Sequence, residues 1–280
     1  MACEPDHRPS WRQLSITFTQ PRTAEQHFLA HLGPAIADAE TQGLITAWFF
    51  IRKHQWRMRC LPAEHASPAA VTAALRDTAH RLRDKGIARC TEAVYEPETH
   101  AFGGDEAMHT AHHLFHADSR GILTHLTSDG AGHTSGRRRE LSLLLCTALL
   151  RAAGLDRYEQ GDVWARVAAH RPNTTPAPPQ QRNSLTAAVH RLTTVDTASG
   201  TLLRTGALAS ADDWLTAFEH TGRTLKSLAD NGHLARGLRA VATHHVLFHW
   251  NRLGLPATTQ ANLAHAATDT AFADPRDPRQ

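Results

Sequence analysis

YEPETHAFGGDEAMHTAHHLFHADS, residues 95–119, is where the chain changes its period. Upstream, apolar residues recur every second position, the period of a half-buried strand. Downstream they recur every three to four, the period of a helix with one buried face. The change is made at Gly103-Gly104, a pair free to take positive φ or to let another backbone come close. Asp105 and Glu106 follow at once, where the positive end of a helix dipole favours carboxylates. The stretch therefore reads as strand, tight turn, helix. Its carboxylates Glu96 and Glu98 stand on the turn, and its histidines 109, 112, 113 and 116 stand on the helix.

Upstream of the turn, Trp11–Thr19 alternates with Leu14, Ile16 and Phe18 on one face, a strand. Thr23 is placed to cap a helix over Ala24–Gln42, which Gly43 ends. Leu44–Arg52 (LITAWFFIR) is a second strand and Trp56–Leu61 (WRMRCL) a third; alternation in the third separates Trp56, Met58 and Cys60 from Arg57 and Arg59. Ser67-Pro68 opens a helix through Leu82, and Ile87–Tyr95 is a fourth strand. The order β-α-β-β-α-β is that of a ferredoxin-like layer, an antiparallel sheet with helices on one face.

Downstream, the reading is helical: Asp105–Ala117, a short second helix over Gly121–Thr127, and a loop over Leu126–Gly136. Arg137–Ala153 is apolar on nearly every side, the mark of a central buried helix. Asp156–His170 is a helix interrupted or capped near Gly161-Asp162, and a Pro-rich connector spans 172–181. Further helices are expected at Ser184–Thr194, Asp212–Leu228, His233–Leu253 and about Thr258–Ala267. The fold class is α+β. Residues 1–10 form a disordered lead, residues 11–270 one unit (11–102 the sheet part, 103–270 the helical part), and 271–280 a tail. No internal repeat is evident.

Composition narrows the function. The 280 residues carry 30 Lys and Arg against 27 Asp and Glu, a net charge of +3, with no basic stripe, so nucleic acid is not expected as a direct partner. The four cysteines, Cys3, Cys60, Cys90 and Cys146, form no CxxC pair, which excludes a zinc ribbon and argues against a disulfide framework. No apolar signal region and no membrane-length apolar run occurs, so a soluble cytoplasmic protein is expected.

The candidate chemistry is of three kinds. His109/His113, His112/His116 and His245/His249 are spaced i, i+4, half of a zinc site; HExxH is absent, and no metal is assigned. Glu96, Glu98, His100, Tyr158, Glu159 and His249 are groups able to move a proton near neutral pH. Arg57 and Arg59, on the polar side of a strand, can hold a carboxylate in a bidentate fork, or simply pair with a neighbouring glutamate. A nucleophilic mechanism is disfavoured, because Cys146 lies in an apolar helix and no GxSxG elbow occurs.

YEPETHAFGG (95–104), HHLFHADS (112–119), RRELSLLLCTALLRAAGLDRYEQGDVWARV (138–167) and HWNRLG (249–254), with the WRMR strand (56–59), together resemble the thiopeptide-type bacteriocin biosynthesis domain. That domain is equivalent to the C-terminal elimination domain of class I lantibiotic dehydratases, and the similarity spans about residues 11–265. The resemblance implies maturation of a ribosomally made precursor peptide, leader plus core, without a cofactor. It implies a glutamyl-tRNA-dependent partner that glutamylates Ser or Thr, after which this domain removes the α-proton and expels glutamate. Similar stand-alone proteins instead form a pyridine from two dehydroalanines and release the leader, and a third possibility is a non-catalytic peptide-binding subunit. Arg57 or Arg59, Glu98 and His249 match the family's pattern; these, with His100 and Tyr158 as groups able to substitute for missing members, are the expected catalytic residues, and Glu96, Phe102, Asn251 and Arg252 the expected substrate contacts. The chain departs from the eliminating pattern at Ala101 and Phe102, where an arginine and tyrosine are usual, and at Leu247, where the first histidine of His-x-His is usual.

Overall fold

A computed structural model describes residues 11–53, 55–81, 86–128, 134–172 and 178–273. The expected lead, much of the expected tail and the middle of the Pro-rich connector lie outside the described residues. By contact the chain divides into two units, one ending at Glu96 and the other beginning at Pro97.

In the first unit, strands β1 (Arg12–Phe18), β2 (Ile45–Arg52), β3 (Trp56–Pro62) and β4 (Ile87–Ala93) form one sheet in the order β2-β3-β1-β4, every pair antiparallel. This is the split arrangement expected from β-α-β-β-α-β. Register confirms the alternation. Leu14, Met58 and Phe50 stand opposite one another on one face; Gln13, Arg59 and Phe49 do so on the other. The Leu14 face receives the first helical segment, where Phe28 stacks on Trp56 at 4.5 Å and meets Phe50 in a tilted contact at 5.0 Å. That segment is not the single α-helix expected. It runs as α1 (Ala24–His27), a π turn (Phe28–Leu32) and α2 (Gly33–Thr41). Pro34 gives the reason, since it has no N–H to donate and its ring crowds the carbonyl four residues back, so the turn before it widens. Helix α3 (Pro68–Arg81) packs on β4 and β1.

The second unit is helical: α4 (Asp105–Ser128), α5 (Thr134–Ala152), α6 (Arg157–Ala169), α7 (Pro179–Thr194), a single turn α8 (Leu202–Thr205), α9 (Asp212–Asp230), α10 (Leu238–Leu253) and α11 (Ala257–Phe272). Every residue from Leu141 to Leu150 is buried, as the all-round apolar pattern required. Two expectations are corrected. Helix α4 does not break near Gly121, and α6 is not interrupted at Gly161. Both glycines are contact points: a Cβ on Gly121 would lie 2.4 Å from the Trp214 ring, and one on Gly161 2.8 Å from Ala271. The start of α6 is instead set by Asp156, whose side chain accepts from Glu159 N while Glu159 reaches back to Asp156 N. Helix α10 begins at Leu238, five residues later than expected. Of the expected loop over 126–136, the residues up to Ser128 belong to α4 and those from Thr134 to α5, and 129–133 lie outside the described residues.

Candidate active site

The turn that opens α4 is locked from both sides. Within it, Phe102 N–H donates to Glu98 O (3.2 Å), Gly103 N–H to His100 O (3.3 Å) and Gly104 N–H to Thr99 O (3.0 Å). Gly103 and Gly104 take φ of 92° and 113°, open to glycine and strained for other residues. From outside, Ala235 N–H donates to Gly103 O at 2.8 Å, tying the turn to the segment between α9 and α10. A Cβ on Gly103 would meet Val241 Cγ2 at 2.9 Å, so the backbone there lies directly on α10.

Phe102 is fully buried, and its ring meets His245 (5.0 Å), Phe248 (5.0 Å), Phe115 (5.3 Å) and His244 (6.1 Å) edge-on. It is a spacer that seats the turn on α10. Glu98 is half-buried, and its Oε2 is shut from solvent with no hydrogen-bond partner among the described residues. Its charge acts on His244, as do those of Arg236 and His170; the His170 ring lies 5.8 Å from that of His244. His244 Nδ1 is 2.9 Å from Ala240 O. A carbonyl only accepts, so Nδ1 carries the proton and the neutral ring's lone pair is on Nε2. Burial pulls the His244 pKa below the ordinary imidazole value; Arg236 and His170 add to this, while the Ala240 bond and Glu98 oppose it. The ring is thus a neutral acceptor at pH 7.

His249 sits elsewhere in the same unit, in a buried network that the sequence did not announce. Asp118, fully buried on α4, accepts from His249 Nδ1–H (2.9 Å) and Trp214 Nε1–H (2.9 Å) at Oδ1, and from Arg252 Nε–H (2.6 Å) at Oδ2. Burial by itself would raise the Asp118 carboxyl, but His249 and Arg252 hold it below the usual carboxylate range. The Arg252 guanidinium also lies 4.3 Å over the Phe115 ring, and Phe218 and Trp214 flank the His249 ring. His249 and Arg252, both 0% exposed, are therefore set deep in the helix packing rather than on an open surface.

The remaining candidates scatter. His100 is exposed on the turn. Tyr158, 58% exposed, stacks against Phe272 at 6.2 Å. It stands in the first turn of α6 while His170 follows the last, ~18 Å apart at 1.5 Å per residue. Asn251 Oδ1 accepts from Arg171 (3.2 Å) and Gln260 (3.3 Å), a link among α6, α10 and α11. In the sheet unit, Arg59 is 3% exposed, donates Nε–H to Gln13 Oε1 at 2.7 Å and lies 4.0 Å over the Tyr95 ring; Arg57 is half-buried and Glu96 exposed. Of the expected site residues, the structure thus gathers Glu98 and Phe102, and adds His244, His170 and Arg236. His109 and His113 face each other at 2.9 Å between Nε2 atoms on the exposed side of α4, and no group of three or more His, Cys, Asp or Glu among the described residues is placed to hold a metal ion. The Cys60 thiol is pushed up to about 12 by burial, and burial also holds the Cys146 thiol well above the ordinary value, so neither is a ready nucleophile.

A family model, lantibiotic biosynthesis dehydratase C-term, matches residues 11–271. The chain belongs to that family. Among solved structures, this family member resembles the tRNA-dependent lantibiotic dehydratase MibB from Microbispora sp. 107891 with a TM-score of 0.64 and 17% identity, over 96% of this chain and 28% of MibB. The chain therefore spans little more than a quarter of that protein. It resembles TsrL with a TM-score of 0.63 and 14% identity, over 93% of each chain. It resembles TbtD, a pyridine synthase from thiomuracin biosynthesis, with a TM-score of 0.62 and 14% identity, over 94% of this chain and 97% of TbtD. At these identities the likeness is one of fold. No curated protein matches the chain. The positions where this family member departs from the eliminating pattern are packed: Leu247 is buried on α10 and Ala101 half-buried on the turn. No helix among the described residues is long and apolar enough to cross a membrane.

Proposed function

We propose that this protein matures a ribosomally made peptide as a lyase. It takes a precursor whose Ser or Thr side chains carry a glutamyl ester, removes the α-proton and releases glutamate, leaving dehydroalanine or dehydrobutyrine. The glutamyl group comes from a glutamyl-tRNA-dependent partner. The observation that carries this reading is Glu98, a carboxylate with one oxygen buried and without a hydrogen-bond partner among the described residues, on a turn fixed by four hydrogen bonds. An unspent carboxylate on a rigid backbone suits a site for proton transfer, where it can steady the cation formed while the reacting groups are held within reach of one C–H bond. Expulsion of a carboxylate from an activated ester needs no redox group.

A second reading is pyridine formation from two dehydroalanines, favoured by the likeness to TbtD over 97% of that chain. The two readings separate by mass. Purified protein is incubated with a precursor peptide bearing glutamylated Ser and, separately, with one bearing two dehydroalanines. Loss of glutamate from the first supports the lyase. A pyridine and free leader from the second would replace it, and leader binding without either product would leave a peptide-binding subunit.

A further inference from the structure

Three histidines line α10 within six residues, and they differ in what their free nitrogens can reach. His249 spends Nδ1 on Asp118 and is completely buried between Trp214 and Phe218. His245 is buried against Phe102 and Phe115, and neither ring nitrogen has a hydrogen-bond partner among the described residues. A substrate would have to displace packed aromatic rings to meet either one. His244 is only half-buried, at the edge of the same aromatic cluster. Its Nδ1–H is held by Ala240 O, one turn earlier in its own helix, which fixes both tautomer and ring plane. The groups around it come from every neighbouring element: Glu98 and Phe102 from the turn, His170 from the end of α6, Arg236 from the segment before α10 and His245 from α10 itself.

We infer that His244, through Nε2, is the base that takes the α-proton of the glutamylated residue, with Glu98 as the positioning residue that steadies the imidazolium formed. This rests on the elimination reading. In the step, the Cα–H proton passes to Nε2 and its electron pair becomes the Cα=Cβ double bond. The Cβ–O ester bond breaks, and glutamate leaves as its carboxylate. One cation appears at His244 as one anion departs, so no external oxidant or reductant enters. Nδ1–H stays on Ala240 O throughout, and the carboxylate of Glu98 gains a cationic neighbour. A base already neutral at pH 7 loses no rate to a prior deprotonation.

The test compares the wild-type protein with His244→Gln and Glu98→Gln on a precursor peptide carrying glutamylated Ser, reading glutamate release across pH 4.5–8. For the wild type, kcat/KM is expected to rise with pH and level off below the ordinary imidazole value of about 6.5. His244→Gln keeps an N–H donor for Ala240 O; it should lose about 100-fold or more in kcat, with KM within a few-fold and the inflection abolished. Glu98→Gln removes the charge that raises His244, so the inflection should move to lower pH. If His244→Gln fails to fold, the wild-type and Glu98→Gln profiles decide alone: no inflection below about 6.5, or none that moves, overturns the inference. Glutamate release by His244→Gln at the wild-type rate and profile overturns the base while leaving the lyase intact. No release by the wild type overturns the lyase reading and the base with it.

Discussion

Asp118 accepts three hydrogen bonds from three different side chains while wholly buried, and α4, α9 and α10 meet on it. Taking one partner out of a buried ionic pair costs far more than an exposed pair is worth. We therefore expect Asp118→Asn to lower unfolding stability by about 3–5 kcal/mol, measured by urea denaturation at pH 7. Trp214→Phe removes one neutral donor only and should cost nearer about 1 kcal/mol from the hydrogen bond. Equal losses would show that the indole packing, not the carboxylate, holds the junction. The sign of the acid dependence follows. The folded carboxyl is held below its unfolded value, so its contribution is present above about pH 4 and is lost as the pH falls through the folded value. Asp118→Asn should remove that part of the loss. In the sheet unit, Arg59→Ala should act on stability, since Arg59 is buried on Gln13 and Tyr95. Arg57→Ala should leave stability near wild type, and a turnover assay checks whether Arg57 touches substrate.

The helices are placed by small residues as much as by large ones. A Cβ on Gly222 of α9 would lie 2.3 Å from the carbonyl oxygen of Leu149 on α5. Backbone cannot rotate aside as a side chain can, so Gly222→Ala must part the two helices and should cost about 1–3 kcal/mol, read as a lower thermal midpoint. Asp156→Ala breaks the capping box and should cost about 1 kcal/mol. These same features explain what was legible beforehand. The sheet could be read because each strand alternates and the two faces differ, and the observed order β2-β3-β1-β4 follows from that. Glycine misled where it serves contact rather than conformation: Gly121 and Gly161 look like breaks in a sequence and are helix crossings in the structure. Asp118 had a faint signal. Ala107, Ala111, Leu114, Phe115 and Ile122 make one buried stripe on α4, and a carboxylate within such a stripe needs a partner. His244 had none, because α10 is buried on almost all sides and no polar face marks which histidine reaches out. Glu98 was legible from the turn itself; His244, on which it acts together with His170 and Arg236, is distant in sequence, and only the fold brings these groups to one ring.

At the scale of the molecule, the helical unit carries a built-in sensitivity to acid. His245 is fully buried among Phe102, Phe115 and α10, and burial pushes its pKa down to about 3, with Arg252 and His244 adding repulsion. In the unfolded chain the same ring binds a proton near pH 6.5. Between these values the unfolded state binds more protons than the folded one, so stability falls as the pH falls from about 6.5 toward 3. His244 shifts in the same direction and adds to the loss. This window lies mostly above that of Asp118, so the two can be separated. The check is a pair of variants followed by urea denaturation from pH 7 to 4. His245→Leu puts an apolar group among aromatic rings and removes two unsatisfied nitrogens, so it should flatten the decline between pH 6.5 and 4.5 and raise the midpoint at pH 5. Asp118→Asn should leave that decline in place. Hydrogen exchange, corrected for intrinsic rates, should show the acid-induced loss of protection in residues 97–273 before residues 11–96. If His245→Leu keeps the wild-type slope, the ring is protonated in the folded state, and a water or a carboxylate must reach it.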